Sequence, residues 1–103
     1  MKTSDKNASL LFSLVMTFQA AAMQQMGKLK NPLSDKIERD LQQAQLSIDI
    51  LDMLEDKTRG NLSEEESRFL KGILQELKLN YVDESTKEQK VEQKDELKEQ
   101  AQS

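Results

Sequence analysis

The stretch from Ile48 to Glu66, IDILDMLEDKTRGNLSEEE, constrains the fold more than any other part of the chain. It reads as the end of one helix, a tight turn and the capped start of the next. Lys57 and Arg59 stand in a last turn, where the helix dipole favours cations. Gly60 follows where a helix needs a left-handed residue to stop, a conformation glycine adopts without a steric cost. Ser63 is a good N-cap because its hydroxyl accepts from an otherwise unpaired backbone N–H, and Glu66 completes a Ser-x-x-Glu capping box. Glu64 and Glu65 add negative charge to the same first turn. Stop and start signals this close predict two consecutive helices packed on each other.

Beyond the turn, Phe69, Leu70, Ile73, Leu74, Leu77 and Tyr81 lie within an arc of about 140°, the stripe of an amphipathic helix. Before it, Ile37, Leu41, Ala44, Ile48 and Leu51 recur at steps of four and three, which makes a second helical stripe. Leu46, Ile50, Met53 and Leu54 fall on a different side of that helix. Its C-terminal half therefore carries two apolar faces and is expected to be sandwiched, with the first helix on one side and the third helix or a partner chain on the other. Asp49, Asp52, Glu55 and Asp56 fill the remaining edge. The second helix starts between Ser34 and Asp40; Asp40 with Gln43 offers a capping box, and Ser34 is the earlier choice of cap.

Residues 7–27 carry no charge and are broadly apolar, from Leu10, Leu11, Phe12, Leu14, Val15, Met16 and Phe18 to the run Ala20-Ala21-Ala22-Met23. A helix apolar over most of its circumference calls for burial on more than one side. A buried helix of a bundle or dimer is the first reading. A transmembrane span is weakened by three glutamines, two serines, a threonine and a glycine. A secretory signal, with Lys2 and Lys6 before the apolar run, is weakened by Asp5. Gly27 to Ser34 is a loop by its Gly, Asn, Pro and Ser.

The last segment changes character. The first 82 residues hold 12 acids and 11 bases, whereas residues 83–103 hold 7 acids and 4 bases. Val91 and Leu97 are its only bulky apolar residues. Glu84, Glu88, Glu92 and Glu96 form one row of like charge and Lys90, Lys94 and Lys98 another, and such rows repel. The segment reads as a disordered tail or a frayed extension of the third helix.

The same residues exclude most chemistry. The chain has no histidine and no cysteine. That removes the usual zinc ligands, the nucleophile–base pairs of Ser-His and Cys-His catalysis, and the Glu-x-x-His pairs of di-iron bundles. There is no glycine-rich phosphate loop. Asp56 to Ser67 is not a calcium loop, since Gly60 falls one position early and Ser67 stands where a bidentate Glu is required. Asp49, Asp52, Glu55 and Asp56 read as a solvated edge before they read as a cation site. A net charge of −4 with no basic stripe argues against nucleic acid. Met16, Met23, Met26 and Met53 read as core at helical spacing before they read as an adaptable binding surface.

One further pattern is specific. Leu11-Phe12-x-Leu-Val-Met16 with its alanine and methionine run, then Asn31-Pro32, then the string from Ile48 to Val82, resemble a bacterial domain-of-unknown-function family, the one numbered eighteen forty-four. The resemblance covers about Leu10 to Val82. It implies that the first helix belongs to the domain and that the protein is bacterial and cytoplasmic. It brings no catalytic residues.

The expectations are therefore an all-α fold: a three-helix antiparallel bundle or helical hairpin near 8–27, 36–59 and 63–82, with a fraying segment 1–7 and a charged tail 83–103. No catalytic, cofactor or metal site is expected, and no nucleic acid. The expected function is a non-catalytic interaction or self-association module, with a membrane-associated protein anchored by residues 7–27 as the alternative. A large apolar patch on a soluble domain marks an interface. The expected partner is a second copy, in a dimer or higher even oligomer, with an unidentified protein beside it. The expected interface comprises Phe12, Val15, Met16, Leu46, Ile50 and Met53, and Gly60, Ser63 and Glu66 form a structural turn.

Overall fold

A computed structural model describes the backbone of residues 3–102 and the side chains of residues 5–97. It holds three helices, α1 (Thr3–Gln25), α2 (Leu41–Lys57) and α3 (Glu64–Gln102). Among the described residues there is no strand, only an isolated bridge between Asn31 and Lys36. Helix α1 begins at Thr3, so residues 3–7 of the segment expected to fray are helical, while Met1 and Lys2 lie outside the described residues.

Glycine stops α1 where the sequence placed the loop. Gly27 sits at φ +83°, and the chain closes with two bonds: Gly27 N–H donates to the Gln24 carbonyl (3.0 Å) and Lys28 N–H to the Met23 carbonyl (2.8 Å). This paired 5→2 and 6→1 arrangement satisfies carbonyls that the helix end would leave open.

Helix α2 starts at Leu41, later than the expected 36. The intervening residues have other partners. Asn31 N–H donates to the Lys36 carbonyl and Asp35 N–H to the Asn31 carbonyl, both at 2.8 Å. Asn31 Oδ1 accepts from Leu33 N–H at 2.9 Å, an Asx turn. Residues 31–36 thus close on themselves as a turn. Ile37 drops out of the helical stripe and is exposed. Asp40 is the N-cap: its carboxylate accepts from Gln43 N–H at 3.2 Å, and its own N–H donates to the Gln25 carbonyl at 2.8 Å, tying the start of α2 to the end of α1.

The α2–α3 turn follows the sequence closely. Thr58 ends α2, its N–H (3.0 Å) and hydroxyl (2.7 Å) both donating to the Leu54 carbonyl. Gly60 is left-handed at φ +88°. Ser63 Oγ accepts from Glu66 N–H at 3.1 Å while Glu66 Oε1 accepts from Ser63 N–H at 2.9 Å, both halves of the capping box.

Contacts at the two ends of the bundle fix its topology. Phe12 of α1 stacks on Phe69 of α3, ring centroids 5.1 Å apart. At the other end Lys28, just past α1, meets Glu84 of α3 at 2.7 Å. Helices α1 and α3 therefore run parallel and α2 runs antiparallel to both, an up-down-up bundle. The core between them is Val15, Ala22 and Met26 from α1, Ala44, Ile48 and Leu51 from α2, and Leu70, Leu74 and Leu77 from α3. For α2 and α3 these residues lie on the predicted stripes; for α1 the sequence predicted no single stripe, and packing selects Val15, Ala22 and Met26 from its broad apolar surface. Burying a side chain of leucine or valine size contributes roughly 1.5–3 kcal/mol.

The third helix does not end at 82. It continues to Gln102, so of the two forms open to the charged segment the structure shows the helical extension. Nothing after Gly72 breaks a helix, and Glu, Lys and Gln are good helix formers. From Thr86 to Leu97 every position is exposed, so this part projects beyond the bundle without packing on it.

Candidate interaction surface

Helix α2 buries one face only. Ser47 looks toward α1, where the Gln25 amide, with its nitrogen turned inward, donates to Ser47 Oγ (2.7 Å), the Gln43 carbonyl (3.0 Å) and the Ala21 carbonyl (3.2 Å). Asp52 looks toward α3 and pairs with Lys78 at 3.2 Å. Both neighbours thus flank the Ile48 stripe. The second apolar stripe, Leu46, Ile50 and Met53 at i, i+4 and i+7, points away from them. Leu46 is 52% and Met53 50% exposed. The expected sandwich is half built: the third helix joins the first on the inner face and leaves the outer face open.

The remaining interface residues divide. Val15 is fully buried in the chain's own core and is not available to a partner, a correction to the expected interface. It lies four residues from Leu11 and seven from Ala22, on the stripe that faces α2 and α3. Phe12 and Met16 remain partly exposed on the flank of α1 nearer α3. Phe12 and Phe69 line a shallow apolar groove with Ala8, Leu11, Glu65 and Glu66. The expected interface is therefore split between two faces rather than brought together. Gly60, Ser63 and Glu66 do form the structural turn.

The acidic edge of α2 is engaged piecemeal. Asp49 accepts from the Gln45 amide at 2.8 Å, Asp52 pairs with Lys78, and Arg59 lies 3.9 Å from Glu55 and 3.6 Å from Asp56. The carboxylates are strung along the helix instead of converging. Among the described residues no three acidic side chains approach closely enough to share a metal ion.

Sequence reading missed the densest polar cluster. Glu84 is only 7% exposed. Its carboxylate meets Lys28 at 2.7 Å, Arg39 at 3.1 Å and Lys87 at 3.3 Å, and Arg39 also donates to the Glu84 carbonyl. Asp83 adds contacts to Lys87 (3.2 Å) and Lys28 (3.4 Å). The hydrogen bond from Lys28 holds the Glu84 carboxyl below the usual carboxylate range against the opposing effect of burial. Bonds from Lys87 and then Lys28 lower Asp83, and the bond to Glu84 raises Lys28. The cluster fastens the 28–39 loop to α3. Its signal was in the spacing: Glu84 lies seven residues after Leu77 and three after Tyr81, on the core stripe, where an unpaired acid would be costly.

Fold and surface together define a small all-α bundle of three up-down-up helices with a bare apolar stripe on its middle helix and a charged helical arm. Val15, Ala22 and Met26 pack residues 7–27 into the bundle core, and no helix among the described residues is long and apolar enough to cross a membrane. The chain belongs to the family described as Domain of unknown function (DUF1844), whose model matches residues 8–84. The match ends at Glu84, the residue that clamps the loop. No curated protein and no solved structure shows significant similarity to the chain.

Proposed function

We propose that this protein is a non-catalytic interaction module of the bacterial cytoplasm that associates with a second copy of itself, an unidentified protein being the next candidate partner. The observation that carries the reading is the outward stripe Leu46, Ile50 and Met53, with exposed Leu46 and Met53 on either side of a half-buried Ile50 on one face of one helix. A soluble domain that keeps such a row gains by covering it, and burial of each side chain contributes roughly 1.5–3 kcal/mol. A two-fold pair is the commonest way for identical chains to cover the same surface. The lack of histidine and cysteine supports a role without catalysis, and the lack of cysteine is consistent with a reducing compartment.

Sedimentation equilibrium tests this. The expected result is a species of at least twice 11.8 kDa that shifts toward the single-chain mass in Met53→Asp. A single species of 11.8 kDa for the unmodified protein at high concentration overturns it.

A further inference from the structure

The arm that extends α3 beyond the bundle separates its charges by face. Lys87, Lys90, Val91, Lys94 and Leu97 share an arc of about 120°, while Glu88, Glu92, Asp95 and Glu96 occupy an arc of about 100° on the other side. An isolated helix is supported by opposite charges four residues apart. Here the residues four apart match in sign: Glu88 with Glu92, Glu92 with Glu96, Lys90 with Lys94. Among the described residues neither Lys90 nor Lys94 has an ion-pair partner, and Val91 and Leu97 beside them are exposed. One face of the arm is thus basic with two apolar side chains, and beyond Lys87, which pairs with Asp83 and Glu84, it meets nothing in its own bundle among the described residues.

The outer face of α2 has the complementary character. Leu46, Ile50 and Met53 form its apolar strip, and Asp49 and Asp56, seven residues apart on one flank, edge it with negative charge, Asp56 shared with the exposed Arg59 at 3.6 Å. The lengths also agree. Helix α2 has 17 residues, about 25 Å, and the arm from Lys87 to Gln102 spans about 24 Å. The arm cannot fold back onto its own α2, because α3 is one continuous helix that carries it past the end of the bundle.

We infer that the arm of one chain docks on the outer face of α2 in a second copy, so that Val91 and Leu97 cover Leu46, Ile50 and Met53 while Lys90 and Lys94 meet Asp49 and Asp56. A two-fold axis makes the exchange reciprocal, each chain giving an arm and receiving one, and the assembly closes at two. The inference rests on the self-association reading and specifies its surfaces.

Charge exchange in the full chain tests it by sedimentation equilibrium, with circular dichroism to confirm that each variant is helical. Lys90→Glu with Lys94→Glu reverses the arm, and Asp49→Lys with Asp56→Lys reverses the face; all four side chains are exposed in the structure. Each double variant alone is expected to dimerise about tenfold or more weakly than the unmodified chain, because like charges then face each other. An equimolar mixture of the two is expected to recover dimers, since each arm again meets a face of opposite sign. If both variants dimerise like the unmodified chain, or the mixture recovers nothing, the arm exchange is wrong while self-association through another surface stands. If the unmodified chain is monomeric at all concentrations, both readings fall and the face is left to a different protein.

Discussion

Removing the carboxylate of Glu84 is the sharpest probe of how the bundle is held together, because one side chain joins the loop before α2 to the last core turn of α3. In Glu84→Ala the chain loses contacts to Lys28, Arg39 and Lys87 at once. Breaking an ion pair buried on both sides costs about 3–5 kcal/mol. Here only the acid is buried: the side chains of Lys28 and Arg39 are 26% and 36% exposed and can rehydrate when it is gone. The cost is therefore nearer that of losing a charged hydrogen-bond partner, about 1.5–3 kcal/mol. For a domain of this size that lowers the melting temperature by roughly 6 °C or more. The pH dependence follows from the lowered carboxyl. A carboxyl whose folded pKa lies below its unfolded value adds stability above the unfolded value, near 4.3, and loses it as pH falls through the folded one. Lys28 is raised, so its contribution is present below the ordinary lysine pKa and is lost as pH rises through the folded value. Urea denaturation of both chains from pH 7 to pH 3 reads this directly: the difference should be full at neutral pH and shrink below about pH 4. A difference under about 0.5 kcal/mol at pH 7, the scatter of ordinary surface changes, would refute the clamp.

Two further substitutions separate the turn and the core from the interface. Gly60→Val should destabilise by about 1–2 kcal/mol through backbone strain alone, since φ is +88° and no atom lies within 4 Å of an added Cβ; an unchanged urea midpoint would count against a left-handed Gly60. Val15→Asp should unfold the chain instead of dissociating a dimer, because it puts a carboxylate into the core at a cost of several kcal/mol; a helical monomer by circular dichroism and sedimentation would contradict this.

Three helices, the Gly60 turn and the core stripes of α2 and α3 were legible because they depend on local rules. Periodicity places Leu70, Leu74 and Leu77 on one face whatever packs there, and Ser63 and Glu66 need only each other to cap α3. The candidate surface was half legible. Leu46, Ile50 and Met53 announced a second apolar face, but the broad apolar character of α1 concealed which of its residues turn inward. Val15 and Phe12 are three residues apart and equally apolar, and only the seating of α1 against the other helices buries the first and leaves the second partly open.

What the sequence determined by itself is whatever a few neighbouring residues decide through backbone geometry and spacing: helix type, the glycine stops at 27 and 60, the cap at Ser63; which of Ser34 and Asp40 caps α2 it left open, and the 31–36 turn decided it. Tertiary structure decided the rest. Whether α2 was sandwiched depended on where α3 lay, and it lies beside α1 on the inner face, leaving the outer stripe bare. Whether Glu84 belonged to a solvated tail or to the core's edge depended on Lys28 and Arg39, 56 and 45 residues earlier in the chain. Local pattern states which side of a helix is apolar or charged. It does not state which distant group arrives to meet that side, because that is settled by the shared minimum of three packed helices.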